Sequence, residues 1–254
     1  MNIGFLLTLC LCIVAGLFLM SDTTRAESVA EKEQAWNAEL VKFLAASRRE
    51  HDHRFKSWET VADWNFDDGK MPDGFKVFEG EWEVVDGKLC ANGGKPMGNR
   101  IIQFGRPQWP AMRIEFDATL TARPGELPQK ICDLGIRINA DPETASFAKG
   151  YVTIIGAYYN QASVIHRLNI PFARTEYKVL KPGVTHKVAV EIVKPHIRVF
   201  VDDTVVIEAW ERSGTSRINH SDFLDMDPTK ILALSTYDTD LKIDNLKILV
   251  PGEK

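Results

Sequence analysis

Arg113-Ile114-Glu115-Phe116-Asp117-Ala118-Thr119-Leu120 alternates polar and apolar residues without a break. Side chains along an extended strand point to opposite faces in turn. Ile114, Phe116, Ala118 and Leu120 therefore predict one buried face, and Arg113, Glu115, Asp117 and Thr119 one wet face. Lys187-Val188-Ala189-Val190-Glu191-Ile192 repeats the pattern, and strand-like runs recur from Trp58 onward. They cover residues 81–85, 99–104, 132–139, 151–159, 196–202, 205–210, 231–237 and 241–250. Asp86-Gly87 and Asp202-Asp203 read as tight hairpins, and Lys181-Pro182-Gly183 as a turn. Within the last run the apolar parity slips between Ile243 and Leu246, which predicts a β-bulge at Asp244-Asn245. Many short strands without a linker argue for an all-β class, one antiparallel β-sandwich spanning 58–254.

Upstream the pattern changes. Residues 28–48 place Val29, Trp36, Leu40, Phe43 and Leu44 at helical spacing, a narrow apolar stripe on one amphipathic helix within an extension of 27–57. Such a helix needs a covering surface, and packing on the sandwich is favoured over a partner or membrane. Residues 1–20 form an apolar run, and Thr24-Arg25-Ala26 offers the small residues a signal peptidase reads, so 1–26 is expected to be a signal peptide. The domain is then exported: periplasmic, cell-surface or extracellular. A membrane enters only if that segment stays uncleaved. Cys90 and Cys132 remain downstream of it, and could pair, at about 4 kcal/mol on the chain-entropy model, or stay as buried thiols.

Charge excludes some partners. The chain has 31 Lys and Arg against 35 Asp and Glu, a net of −4, interspersed along the sequence. No basic field points to nucleic acid. There is no Gly-x-Ser-x-Gly, no phosphate loop, no Gly-x-Gly-x-x-Gly, no His-Glu-x-x-His and no Cys-x-x-Cys.

Several motifs together resemble a known superfamily. Trp64-Asn65-Phe66-Asp67-Asp68-Gly69 followed by Gly80 to Leu89 is similar to the opening of concanavalin A-like jelly-roll domains. Among these it resembles the laminin-G-like and 3-keto-disaccharide hydrolase types. Asp133 to Arg137 resembles their central strand, and Gly150 to Asn160 the strand and loop after it. Val199 to Asp203 and Ile243 to Ile248 are similar to the closing hairpin and strand. The similarity covers roughly residues 59–250. It implies a two-sheet jelly roll whose concave face or edge loops hold sugars, in a fold that also serves hydrolases, lyases and interaction modules.

The candidate residues follow from sugar chemistry, which asks for polar groups at hydroxyls and aromatic rings at C–H faces. Asp133, Arg137, Tyr158, Asn160, His166, Trp210 and Tyr237 form the ligand-binding set. An Asp and an Arg on one strand equally make a structural pair, and strand aromatics equally pack. For catalysis, Glu115 and Asp117 partly resemble the Glu-x-Asp-x-Glu strand of laminarinase-type hydrolases, but Thr119 stands in place of the third carboxylate. A sugar-active enzyme would use Glu115, Asp117, Asp133 or Arg137; otherwise the alternating charges are a solvated face. Asp67, Asp68 and Asp244 are a candidate set for a structural calcium, with an ordinary turn as the plain alternative at 67–68. His51-Asp52-His53, if extended, would place two imidazoles on one face as a metal pair needs, but reads first as a solvated connector. The loop 211–229 around His220 reads as a lid or ligand rim, or equally as a mobile insertion. The expectation is an exported carbohydrate-binding or interaction domain without catalysis, for a glycan or glycosylated partner. A sugar-active enzyme is the alternative, and an envelope structural component a third reading.

Overall fold

The computed structural model describes residues 57–91, 98–127, 131, 133–176, 178–194, 196–210 and 226–252. The signal-peptide, helix, His51-Asp52-His53, Cys132 and His220 expectations lie outside the described residues, as does the side chain of Trp210.

Fifteen strands are described, all paired antiparallel. In chain order they are β1 (Trp58–Trp64), β2 (Lys76–Glu79), β3 (Trp82–Val85), β4 (Lys88–Ala91), β5 (Asn99–Gly105), β6 (Ala111–Thr121), β7 (Leu134–Ala140) and β8 (Tyr151–Gly156). Then follow β9 (Ala162–Arg167), β10 (Ile170–Thr175), β11 (Thr185–Val193), β12 (His196–Val201), β13 (Thr204–Trp210), β14 (Ile231–Tyr237) and β15 (Asp240–Pro251). One sheet has eight strands in the order β13-β12-β11-β6-β15-β4-β3, with β1 also on β15. The other has seven, β10-β9-β8-β7-β14-β5-β2.

The alternation at 111–121 does what it predicts. Met112, Ile114, Phe116, Ala118 and Leu120 are buried in the core between the sheets, facing Leu134, Ile136, Ile138, Leu232 and Leu234 of the seven-stranded sheet. Each such side chain stabilises the fold by about 1.5–3 kcal/mol through burial. At one end of this core, Phe75 meets Trp64 and Phe66 edge-on, with centroids 5.3 and 6.2 Å away.

The turns match their chemistry. Asp86 and Gly87 both have positive φ (52° and 69°), as do Asp202 and Asp203 (50° and 60°), the geometry that lets a two-residue hairpin follow strand twist. The register of β15 against β6 shifts between Asp244 and Lys247, with Asn245 at φ 52°. That bulge divides the opposite edge of β15: Leu241–Ile243 pair with β4, and Leu246–Pro251 with β1.

One detail differs from expectation. The run 151–159 is not one strand, because β8 stops at Gly156 and a left-handed turn follows. Cys90 is a buried free thiol, its Sγ 3.6 Å from the Lys88 carbonyl, and burial pushes its pKa up. Of the two alternatives for Cys90, a cystine or a buried thiol, the structure has the buried thiol.

Candidate functional site

Because Leu134, Ile136 and Ile138 enter the core, Gly135 and Arg137 point to the outer face of the seven-stranded sheet. One register row crosses that whole sheet: Lys76, Gln103, Ala233, Arg137, Val152, His166 and Pro171 are successive cross-strand partners. The next row runs through Ile101, Ser235, Gly135, Ile154, Val164 and Arg174. Up to Arg174 this second row is small or aliphatic.

Arg137 is the centre of this face. Its Nε donates to Ser235 Oγ at 3.3 Å and its Nη1 to the Ala145 carbonyl at 2.9 Å. Phe147 lies with its ring 5.4 Å from the guanidinium carbon, and His166 meets that ring edge-on at 6.2 Å. Phe147 and Ala145 belong to a loop, Asp141–Gly150, whose shape is set locally. Asp141 Oδ1 accepts the Glu143 and Thr144 backbone N–H groups and the Thr144 hydroxyl, which holds its pKa below the usual carboxylate range. Burial keeps His166 biased to the neutral form.

Asp133 stands one residue before β7. The Thr236 hydroxyl donates to its carbonyl at 2.8 Å, and its carboxylate accepts the Tyr237 backbone N–H. Burial pushes its pKa up to about 6, against the weaker opposing pull of that N–H and of the Arg137 charge.

At the other end of β8 the chain enters an unusual turn. Gly156 has φ 74°, and Tyr158, Tyr159 and Asn160 follow at 55°, 59° and 59°. Left-handed backbone costs an L-residue about 1–2 kcal/mol, and asparagine tolerates it better than tyrosine. The turn is fastened by Asn160, only 5% exposed, whose side chain takes both backbone groups of Leu180: Nδ2 donates to the carbonyl at 2.5 Å and Oδ1 accepts the N–H at 3.2 Å. Tyr158 and Tyr159 are left 54% and 45% exposed, and the Arg174 guanidinium lies 5.1 Å over the Tyr158 ring. From Gly156 back to Val152 in the Arg137 row is about 14 Å at strand rise.

The structure thus gathers Asp133, Arg137, His166 and Tyr237 on or beside one sheet, with Tyr158 and Asn160 in the turn at its end. Trp210 closes β13, in the other sheet. Glu115 and Asp117 do not join this group. They stand on the outer face of the eight-stranded sheet, where Arg113 bonds Glu115 and Glu191, and Arg198 Nη2 reaches Glu191 at 2.6 Å. Asp117 accepts Asn245 Nδ2 at 2.8 Å. A whole sandwich, with sheets about 10 Å apart, separates these carboxylates from Asp133, wider than two carboxyls flanking one glycosidic bond. Nor are Asp67, Asp68 and Asp244 gathered. Asp67 bonds Asn65, Asp68 the Lys70 N–H and Asp244 the Asn245 N–H, and no group of three or more His, Cys, Asp or Glu suited to a metal occurs among the described residues.

Phe147, Arg174 and Ser235 are absent from the set read from the sequence. Only the register brings Ser235 beside Gly135 and Arg137. A Cβ on Gly135 would stand 2.3 Å from Ser235 Oγ. Gly135→Ala is therefore expected to destabilise the domain by about 1–3 kcal/mol, seen as a lower urea midpoint, and Ser235→Gly in the same chain should restore it. A single variant with the parental midpoint would show that the two strands are not so closely opposed.

No family model matches the chain, and no curated protein does. Solved structures do. A carbohydrate-binding module, CBM66 from Bacillus subtilis, superposes with TM-score 0.53 at 12% identity, over 71% of this chain and 99% of the module. A Bacillus subtilis protein of unknown function with a galectin-like fold gives 0.55 at 8% identity, over 77% and 100%. The exoplasmic/lumenal domain of VIP36, in its Ca²⁺/Man3GlcNAc-bound form, gives 0.56 at 6%, over 78% and 92%. The fold is a concanavalin A-like jelly roll. At these identities the likeness is one of architecture, and a jelly roll carries many activities, so function rests on the site itself.

Proposed function

We propose that this domain binds carbohydrate on the outer face of the seven-stranded sheet, between the Tyr158–Tyr159 turn and the Asp141–Gly150 loop. The observation that carries the reading is the pair of exposed tyrosines on consecutive left-handed residues. Strained backbone persists only where the surroundings over-determine it, and such strain clusters at binding sites. Here Asn160 supplies the restraint, and the product is two rings presented to solvent beside an arginine. Sugar C–H faces pack on such rings while hydroxyls take the guanidinium donors of Arg174 and Arg137 and the Ser235 hydroxyl. The likeness in fold to CBM66 and to VIP36 in its Man3GlcNAc-bound form supports carbohydrate as the ligand class. Asn160 acts by positioning the tyrosines, not by touching the ligand. His166 and Tyr237 flank the floor. The signal-peptide reading makes the site an exported one, reached by extracellular or envelope glycans or glycosylated partners.

The test is a glycan screen of the protein, with and without a calcium chelator, assayed in parallel for release of reducing sugar. Binding without release is the expected result, and chelation reads whether calcium takes part. Release of sugar would overturn the non-catalytic part, and silence across the screen the whole reading. Tyr158→Ala and Tyr159→Ala are each expected to weaken the best ligand about tenfold, or 1.4 kcal/mol, with an unchanged melting temperature. Affinity within twofold of the parent in both variants would exclude the turn from the site.

A further inference from the structure

Resting on that carbohydrate reading, we infer that the saccharide bears a carboxylate and that Arg137 receives it. Three other arginines of low exposure hold a carboxylate in direct contact. Arg113 and Arg198 have Glu191, and Arg123 Nη2 has Asp238 at 2.7 Å. Arg137 is different. It is 8% exposed, yet its hydrogen-bond partners are a hydroxyl and a carbonyl, and its face lies on a ring. No carboxylate among the described residues lies within ion-pair distance of it; Asp133 and Glu79 act on it only from further away. A guanidinium has five N–H donors, of which the protein engages two. Nη2 makes no hydrogen bond to a described residue.

Holding a low-exposure cation without a contacting anion costs free energy, and burial accordingly shifts Arg137 toward its neutral form. A ligand that brings a carboxylate removes that cost, and the planar fork suits a carboxylate better than a spherical charge. The same face carries a second cation, Arg174, one register row away. Among the described residues its ion pair is with the exposed Glu176 at 3.1 Å, a weak competitor for a ligand. Between the two guanidinia lie Gly135, Val152, Ile154 and Val164, an aliphatic floor for a sugar ring. Tyr158, stacked under Arg174, sets the far limit.

The full chain is screened on an array spanning neutral, uronate-bearing, sialylated and sulfated glycans. The tightest ligand is then titrated calorimetrically against its carboxyl methyl ester, which has the same sugars without the charge. Carboxylated glycans should lead, binding at least tenfold tighter than the ester at low salt, with the gap narrowing as salt rises. Arg137→Gln should remove the gap, with the acid losing at least tenfold more affinity than the ester. Should that variant fold poorly, Arg137→Lys keeps the charge without the fork and should still close most of the gap, while the exposed Arg174→Gln should narrow it. Neutral hits alone, or acid and ester of equal affinity, overturn the inference and leave the carbohydrate site standing. Sulfated hits without carboxylated ones overturn the choice of anion. A gap that survives both Arg137 variants removes Arg137 from the role, and an array without hits removes the carbohydrate reading itself.

Discussion

Asn160→Ala is expected to destabilise the domain by about 3–5 kcal/mol and to weaken glycan binding more than either tyrosine variant. The side chain satisfies both backbone groups of buried Leu180, and an unsatisfied buried group costs about 1–3 kcal/mol. Alanine also tolerates the left-handed φ of 59° less well than asparagine, adding about 1 kcal/mol. The two contributions separate with Asn160→Gly, which keeps the backbone freedom and loses only the clamp, so it should recover about 1 kcal/mol. Urea unfolding measures both. Binding should fall in both variants, because the strained turn relaxes once its fastening to Leu180 is gone and the rings of Tyr158 and Tyr159 no longer hold one orientation. A loss below 1 kcal/mol in Asn160→Ala would mean that something other than this clamp keeps the turn left-handed.

The same turn shows where sequence reading stops. At 113–120 each residue's environment follows from its neighbours, and the alternation shows which face is buried. Asp86-Gly87 and Asp202-Asp203 carry their φ preferences in their own chemistry, and the slip at Asp244-Asn245 is visible as a change of parity. At 156–160, glycine and asparagine permit a left-handed backbone, but the intervening tyrosines favour a strand, so local preference extends β8 too far. What decides is Leu180, twenty residues on. β7 is opaque for a different reason. All seven of its residues are buried, so no alternation marks Arg137 as facing outward. Its surroundings come from Ala145, Phe147 and Ser235, the last of them 98 positions away. Glu115 and Asp117 show the converse: two carboxylates on one strand face resemble chemistry as well as a solvated face, and the register against β11 pairs Arg113 with Glu191 across strands.

Asp133→Asn is expected to make the protein more stable than the parent at pH 8 and to leave it nearly unchanged at pH 4. In the unfolded chain Asp133 titrates near 3.8; in the fold burial raises it to about 6. Below pH 3.8 the group is neutral in both states and imposes no penalty. As pH rises from there to about 6 the unfolded state ionises first, so stability falls. Above 6 the carboxylate is charged in both states and the loss is complete, about 3 kcal/mol at 1.36 kcal/mol per pKa unit. Asparagine removes the ionisation while its carbonyl oxygen still accepts the Tyr237 N–H. The loss of about 3 kcal/mol is already net of the attraction to Arg137, because the raised pKa includes it. Burial is the larger influence on Asp133, so the sign at pH 8 remains a gain. Asp141, Asp202 and Asp227 have lowered pKa values, so their stabilising contributions fade as pH falls, opposite to Asp133. They are common to parent and variant and cancel in the difference. Urea midpoints from pH 4 to 8 therefore isolate Asp133, and a stability difference that does not vary with pH would show that its carboxyl titrates as it would in water.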